Sequence, residues 1–228
     1  MTKPLMLDLF CGGGGAAVGY HRAGFDVVGV DIKKQPHYPF EFFQADAVHF
    51  LESAIANDVR FDAIHASPPC QHHSALAAGT NGNRHDYPEL IERSRERMLQ
   101  AGVPYVIENV VGAPLRQPVR LCGEMFGLQV IRHRLFETNW PLQVPPHPPH
   151  RGRVARCRHG EWFDGPYYAV YGTGGGKGTA KQWQEAMGID WLPYKYELAE
   201  AIPPAYTEHI GVQMLDHVLS ERARSVLW

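Results

Sequence analysis

Apolar residues fall into short blocks whose internal spacing switches between strand-like and helical. Residues 5–10 form a compact apolar run halted by the glycines Gly12 to Gly15, the pattern of a short buried strand. Residues 16–23 read as a helix ended by Gly24, and Asp26–Asp31 (DVVGVD) as a second strand. Phe42 and Phe43 mark a further strand-like stretch. Val48, Leu51 and Ile55 share one face of a predicted helix over 47–57, and residues 61–66 read as a strand broken by Pro68 and Pro69. A polar loop then runs through Tyr87. A charged helix over 88–100 follows, with proline in its favoured first turn, and Tyr105–Asn109 forms the next strand. Strands alternating with helices predict an α/β fold with a doubly wound, mostly parallel sheet.

The pattern breaks near Trp140. PLQVPPHPPHRGR is rich in proline and histidine, and YGTGGGKGT follows a basic stretch, so residues 140–180 read as a small loop-rich insertion. Helical spacing returns over 181–187 and again, after Pro203 and Pro204, over about 206–223. The expected organisation is a main domain over 1–139, completed by 181–228 and interrupted by 140–180.

Bulk properties narrow the class. A chain of 228 residues with 44% hydrophobic residues suits one α/β domain with a normal core. No apolar run approaches the length of a membrane span. MTKPLMLDLF enters a strand pattern without the features of a signal peptide, so a cytoplasmic location is expected. The widely spaced Cys11, Cys70, Cys122 and Cys157 give no disulfide framework. A formal net charge of −2 argues mildly against a nucleic-acid partner, but Arg151, Arg153, Arg156 and Arg158 fall within eight residues and can override it locally.

Three segments carry candidate chemistry. Gly12, Gly14 and Ala17 fit the loose G-x-G-x-x-G/A turn between a strand and a helix, where backbone can closely approach a ligand. A tight turn without ligand gives the same glycines. Asp8 beside that turn suits a cationic ligand such as S-adenosylmethionine (SAM) better than a pyrophosphate. Asp31, at the end of the next strand, can accept from ribose hydroxyls. Asp46 can accept from an adenine amino group or simply cap a helix. Ser67-Pro-Pro-Cys70-Gln71 follows a strand at the edge where parallel sheets bind ligands, and a thiolate there is a strong nucleophile toward an electron-poor carbon; a buried, inert thiol is the bland alternative. Glu108, ending YVIENV, would lie in the same crevice, where its environment can raise its pKa for proton donation.

DLFCGGGG, SPPCQ, IENV and RHR, in this order and spacing, resemble the cytosine-C5 methyltransferases, over about residues 1–138 and 181–215, and in particular short bacterial and phage-type DNA enzymes with a reduced target-recognition region. The resemblance implies a Rossmann-like SAM-dependent methyltransferase fold, with 1–139 and 181–228 as catalytic domain and 140–180 as target-recognition insertion. It implies that Cys70 adds to C6 of a flipped-out cytosine in DNA. Glu108 would contact N3 and the exocyclic amine, and C5 would take the methyl group of SAM. Gln71, Arg134 and Arg132 match catalytic-loop and Arg-x-Arg positions. Asp8, Phe10, Gly12, Gly14, Asp31, Ile32, Asp46, Ala47, Pro69, Glu200 and Ile202 match cofactor-side positions. Three residues depart from the family: Val130 stands at a usual Gln, His73 at a position often aromatic, and Glu200 where the late Gly-Asn-x-Val-Pro-Pro element has Asn.

Within the insertion, Arg151, Arg153, Arg156, Arg158 and Lys177 are the expected nucleic-acid contacts. TyrGlyThrGlyGlyGlyLysGly from Tyr171 fails as a phosphate loop at both ends. His147, His150, Cys157 and His159 could supply four metal ligands, but their spacing is not that of a standard finger, so no metal is expected and base stacking or solvent exposure is the favoured role. DNA is the expected partner, with no membrane and no obligatory protein partner. An RNA substrate, a catalytically silent binding protein and a nicotinamide-dependent enzyme are the competing readings. Cys70, Glu108 and Arg134 together count against the silent protein, and Asp8 and Cys70 against nicotinamide.

Overall fold

The computed structural model describes residues 2–69, 90–172 and 177–225. Seven strands form one sheet: β1 (Leu5–Leu9), β2 (Asp26–Asp31), β3 (Glu41–Gln44), β4 (Ala63–Ala66), β5 (Tyr105–Asn109), β6 (Val119–Leu121) and β7 (Arg134–Thr138). Their spatial order is β3-β2-β1-β4-β5-β7-β6. The first five run parallel, and β7 is antiparallel to both β5 and β6. The chain winds outward one way from β1 through β2 and β3, then the other way through β4 and β5. The carboxyl ends of β1 and β4 therefore flank a topological switch point, the usual position of a ligand crevice in such sheets.

Both faces of the sheet are covered, which is why its strands read as continuous apolar runs. Met6 on β1 faces a cluster with Ala17 and Tyr20 of α1 (Gly15–Ala23) and Tyr206, Ile210 and Met214 of α6 (Pro204–Ser225). Leu7 and Leu9 point the opposite way, into a cluster with Leu51 of α2 (Ala47–Ala56) and Ile91 and Met98 of α3 (Leu90–Ala101). Close contact of α1 with α6 depends on Gly19: a Cβ there would lie 2.0 Å from Thr207 Oγ1 and 2.2 Å from the Pro204 carbonyl oxygen. Thr207 Oγ1 donates to the Ala16 carbonyl at 2.9 Å, tying the helices together.

Two short helices precede α6: α4 (Ala180–Met187), opened by a capping box between Thr179 and Gln182, and α5 (Lys195–Glu200). The segment expected to be loop-rich contains a second sheet. In it β8 (Val154–Arg158) pairs with β9 (Glu161–Phe163) and β10 (Tyr167–Tyr168). His159 and Gly160, at φ 51° and 84°, form the two-residue turn of the β8–β9 hairpin. Tyr168 N–H donates to the Gln129 carbonyl at 2.8 Å and anchors this small sheet to the main body. No helix among the described residues is long and apolar enough to cross a membrane.

A buried ion pair locks α3 to β7. Arg95 and Glu137 are 1% and 2% exposed, and the guanidinium donates twice to the carboxylate, Nε to Oε1 at 2.7 Å and Nη2 to Oε2 at 2.8 Å. The Tyr105 hydroxyl and the Arg116 backbone N–H complete the shell of Glu137 at 3.3 and 2.7 Å. Burial pushes the Glu137 pKa up, but the Arg95 and Arg116 hydrogen bonds outweigh it and hold the carboxyl below its ordinary value. Arg95→Ala would leave that carboxylate buried without its cation, so a loss of about 3–5 kcal/mol of stability is expected. Urea unfolding monitored by circular dichroism checks this; a loss under about 1 kcal/mol would show the pair to be dispensable.

Candidate active site

The turn after β1 is built for close approach. Phe10 adopts φ 57°, in the left-handed region, and Gly12 follows at φ 49°. A Cβ on Gly12 would meet nothing within 4 Å, so its backbone faces open space. Gly14 is different: its φ is 83°, and a Cβ there would crowd Pro39 and Tyr38, so it closes the turn against the protein. Asp31, ending β2, accepts from Gly12 N–H at 3.1 Å and from Lys33 N–H at 2.9 Å. Beside it Ile32 is 66% exposed, a large apolar side chain held at the crevice edge. Trp191 Nε1 donates to the Gly13 carbonyl at 2.8 Å, which fixes the segment before α5 over the same turn.

Asp8 lies inside β1, fully buried, with no hydrogen bond of ordinary geometry to either carboxylate oxygen. Burial and then the charge of Asp31 push its pKa well up, and the nearby Tyr38 hydroxyl offsets this only in part. The neighbouring Cys11 thiol is pushed up as well, by burial and by the charges of Asp8 and Asp31, and is an unreactive thiol. Asp46 is the N-cap of α2, accepting from His49 N–H at 2.9 Å through Oδ1, and Ala47 behind it is buried.

At the other side of the switch point, Glu108 sits at the end of β5, 5% exposed. Arg134 at the start of β7 brings Nε to 3.0 Å from Glu108 Oε1, an ion pair whose geometry is not that of a hydrogen bond. Burial raises the Glu108 pKa, opposed by the charges of Arg134 and Arg132 and by the Ser67 hydroxyl, and the net shift is upward. Ser67 is part of a buried chain: Tyr20 Oη lies 2.9 Å from His65 Nδ1, and His65 Nε2 lies 2.9 Å from Ser67 Oγ. Burial lowers the His65 pKa to about 3, so this imidazole is neutral and acts as a hydrogen-bond link. Asn109 Nδ2 donates to the Pro68 carbonyl at 3.0 Å and thereby fastens the loop after β4 to the end of β5. Pro69 is exposed at this rim. Cys70, Gln71 and His73 lie outside the described residues.

Other expected site residues are brought elsewhere. Arg132 is buried and donates to the carbonyls of Val170 at 2.7 Å and Ala199 at 2.6 Å, while its own carbonyl accepts from the Tyr206 hydroxyl at 2.6 Å. It joins the small sheet, α5 and α6 to the strand that carries Arg134. Val130, at the usual Gln position, is a buried core residue facing the Gly123 backbone. Glu200 ends α5 exposed, and Ile202 is buried. Arg153, Arg156 and Arg158 line a surface groove with Phe163, and Arg151 is exposed upstream of them. Lys177 is engaged by its own loop, donating to the Tyr171 carbonyl at 3.0 Å and lying 3.8 Å from the centre of that ring. His147 and His150 do not meet Cys157 and His159, which sit on β8 and its turn; they meet Cys122 and His133 instead.

The sequence reading missed several polar residues near the crevice. Glu197 of α5 is 6% exposed, with Oε1 2.7 Å from His37 Nδ1 and Oε2 without a hydrogen-bond partner. A Glu within a short helical stretch carries no signal of burial. His65 and Ser67 had a weak one, since polar residues interrupt an otherwise apolar strand and its exit.

Thirteen to fifteen per cent identity accompanies close agreement in fold with solved methyltransferases. The S. pombe Dnmt2 methyltransferase matches with a TM-score of 0.64 and 14% identity, covering 95% of this chain and 99% of that one. A protein described as a DNA modification methyltransferase encoded within an E. coli prophage matches at 0.62 and 15%, with the same coverage. The Spodoptera frugiperda DNMT2 mutant matches at 0.60 and 13%, over 93% and 99%. The chain shares its fold with these methyltransferases. Residues 5–113, which hold the glycine turn and Glu108, match the family model of C-5 cytosine-specific DNA methylases. Type II methyltransferase M.AquIA from Picosynechococcus sp. is 23% identical, with 99% of each chain covered. Over residues 5–113, just under half of its length, the chain is thus similar to the C-5 cytosine-specific DNA methylases.

Proposed function

We propose that the protein methylates C5 of cytosine in DNA through a transient covalent bond between Cys70 and C6 of the base. The observation that carries this reading is the rim where Glu108, Arg134 and the loop leading to Cys70 are held together. Glu108 is a buried carboxylic acid of raised pKa, paired with one arginine, and Asn109 beside it grips Pro68, two residues before Cys70. A neutral Glu108 can donate to N3 of the ring. That withdraws electrons and makes C6 a better acceptor for the thiolate. Addition at C6 turns C5 into a nucleophile; loss of the C5 proton and departure of the sulfur restore the ring. Arg134 holds the Glu108 carboxyl in place, and Arg132 positions that strand through its carbonyl contacts.

SAM supplies the methyl group. The residues at the glycine turn fit it. The open backbone of Gly12 gives room for close approach. Asp31 keeps acceptor capacity for ribose hydroxyls beyond the two amides it holds, and exposed Ile32 offers an apolar face to the adenine. Asp46 already caps α2, so any contact with the adenine amine would use its second oxygen. Asp8, whose two buried oxygens have no hydrogen bond, is an acidic group that a cation nearby would stabilise in its charged form. The exposed Glu200 is then a tolerated variant at the family's Asn position.

Residues 140–180 serve as the target-recognition insertion on the catalytic domain of 1–139 and 181–228. Arg156 and Arg158 of β8 and Arg153 just before it line one groove with Phe163, and Trp162 and Phe163 are 40% and 41% exposed. Cations for phosphates next to exposed aromatic faces for unstacked bases suit a nucleic-acid partner. The match of residues 5–113 to the model of C-5 cytosine-specific DNA methylases favours DNA over RNA. Incubation with labelled SAM and separate DNA and RNA pools tests this. Label at cytosine C5 in DNA alone is the expected result; label in RNA alone would transfer the reading to an RNA enzyme, and label in neither would mark a silent protein.

A further inference from the structure

Four potential ligands from three separated parts of the chain converge beside the active-site arginines. Cys122, fully buried, precedes the 3-10 turn Gly123–Phe126. His133 lies between Arg132 and Arg134. His147 and His150 come from the proline-rich segment after β7. Their ligand atoms all lie within 4.8 Å of one another. His133 Nε2 is 2.9 Å from His147 Nε2 and 3.1 Å from His150 Nε2, and Cys122 Sγ is 3.7 Å from His150 Nε2.

These separations are the edges of a small tetrahedron. With Zn–N of about 2.0–2.1 Å and Zn–S of about 2.3 Å, tetrahedral geometry puts nitrogens roughly 3.3–3.4 Å apart and a nitrogen about 3.6 Å from the sulfur. Hydrogen bonding among the imidazoles alone satisfies the cluster poorly. His133 Nε2 faces two other Nε2 atoms, and one ring nitrogen offers at most one proton. His150 Nδ1 lies 2.5 Å from Glu124 Oε2, and Glu124 Oε1 accepts from the Tyr167 hydroxyl at 2.5 Å. The carboxylate sets the tautomer: Nδ1 carries the proton, and Nε2 directs a lone pair to the centre. That carboxylate–histidine arrangement is the usual outer support of a metal-bound imidazole.

We propose that Cys122, His133, His147 and His150 bind a zinc ion, with Glu124 orienting His150. One thiolate and three neutral imidazoles suit zinc among common cations, and four protein ligands leave no open position, which makes the site structural. The ion clamps the segment leading into the basic β8–β9 hairpin onto the strand start that carries Arg134. It thus fixes the recognition insertion relative to the catalytic rim, adding to the contacts made by Arg132, Tyr167 and Tyr168.

The test uses the full chain, purified without an affinity tag or chelator, and reads metal content and the spectrum after exchange with Co²⁺. The wild type is expected to hold about one zinc per chain. Its cobalt form should show tetrahedral ligand-field bands with a thiolate charge-transfer band. Cys122→Ser should lose the charge-transfer band. His147→Ala, at an exposed position that leaves the fold intact by circular dichroism, should weaken cobalt binding at least about tenfold. Cys157→Ser and His159→Ala should change neither readout. Wild-type protein with under about a tenth of an equivalent of zinc and no thiolate band on adding Co²⁺ would overturn the proposal, as would binding undiminished in both Cys122→Ser and His147→Ala.

Discussion

A Cys70→Ser variant is expected to lose methyl transfer by on the order of 10⁴-fold or more, the scale on which removing a nucleophile from an intact site acts, while binding SAM as the wild type does. The reason is chemical. Cytosine C5 is too weak a nucleophile to take a methyl group until something adds at C6, and a serine hydroxyl near neutral pH supplies far less anion than a thiol. The covalent step has its own signature. With fluorine in place of hydrogen at C5, the proton that must leave is absent, so the C–S bond cannot be released after methylation. Wild-type protein should therefore form a complex with 5-fluorocytosine DNA that survives denaturing electrophoresis, and Cys70→Ser should not. Normal turnover by the serine variant would dismiss the assigned nucleophile. Cys11 does not offer a substitute, because burial and the adjacent carboxylates keep its thiol protonated.

The sheet was legible because its central parallel strands are buried on both faces: DVVGVD and YVIEN are apolar through their centres, and glycines or prolines end the neighbouring runs. The antiparallel strands β6 and β7 were not. β6 has only three residues with Arg120 at its centre, β7 carries both Arg134 and Glu137, and only the fold shows that Glu137 is neutralised by Arg95. The β8–β9 hairpin escaped notice for a related reason. All three residues of β9 are exposed, so no alternation marks it, and the turn uses His159 rather than the Asn or Asp that would signal it. Among the expected site residues, Asp31 and Glu108 lie in the carboxyl-terminal ends of β2 and β5, where the strand pattern put them. Asp8, expected beside a cationic ligand at the turn, is fully buried within β1 near Tyr38, which its sequence position did not reveal. The histidine cluster shows the limit most clearly. Spacing arguments group neighbours such as His150, Cys157 and His159, whereas the fold recruits Cys122 from the end of β6 and His133 from just before β7.

Glu108→Gln is expected to lower kcat/KM by about 10²–10⁴, the range for removing a positioned general acid, and to leave SAM affinity unchanged. Glutamine keeps the size and the amide can still touch the base, so the loss isolates proton donation from contact. Its pH dependence makes the assignment specific. Burial raises the Glu108 pKa despite Arg134, so the acid form survives to higher pH than an ordinary glutamate. Activity resting on that acid is full below the raised pKa and falls as pH climbs through it. The wild-type profile should carry that descending limb, and the glutamine variant, which has no proton to lose there, should not. Arg134→Gln works in the opposite sense: it removes the cation that favours the charged form, so the limb should move to higher pH even as positioning suffers. A glutamine variant within a few-fold of wild type, with the limb unchanged, would assign the proton to another group and leave Glu108 as a structural partner of Arg134.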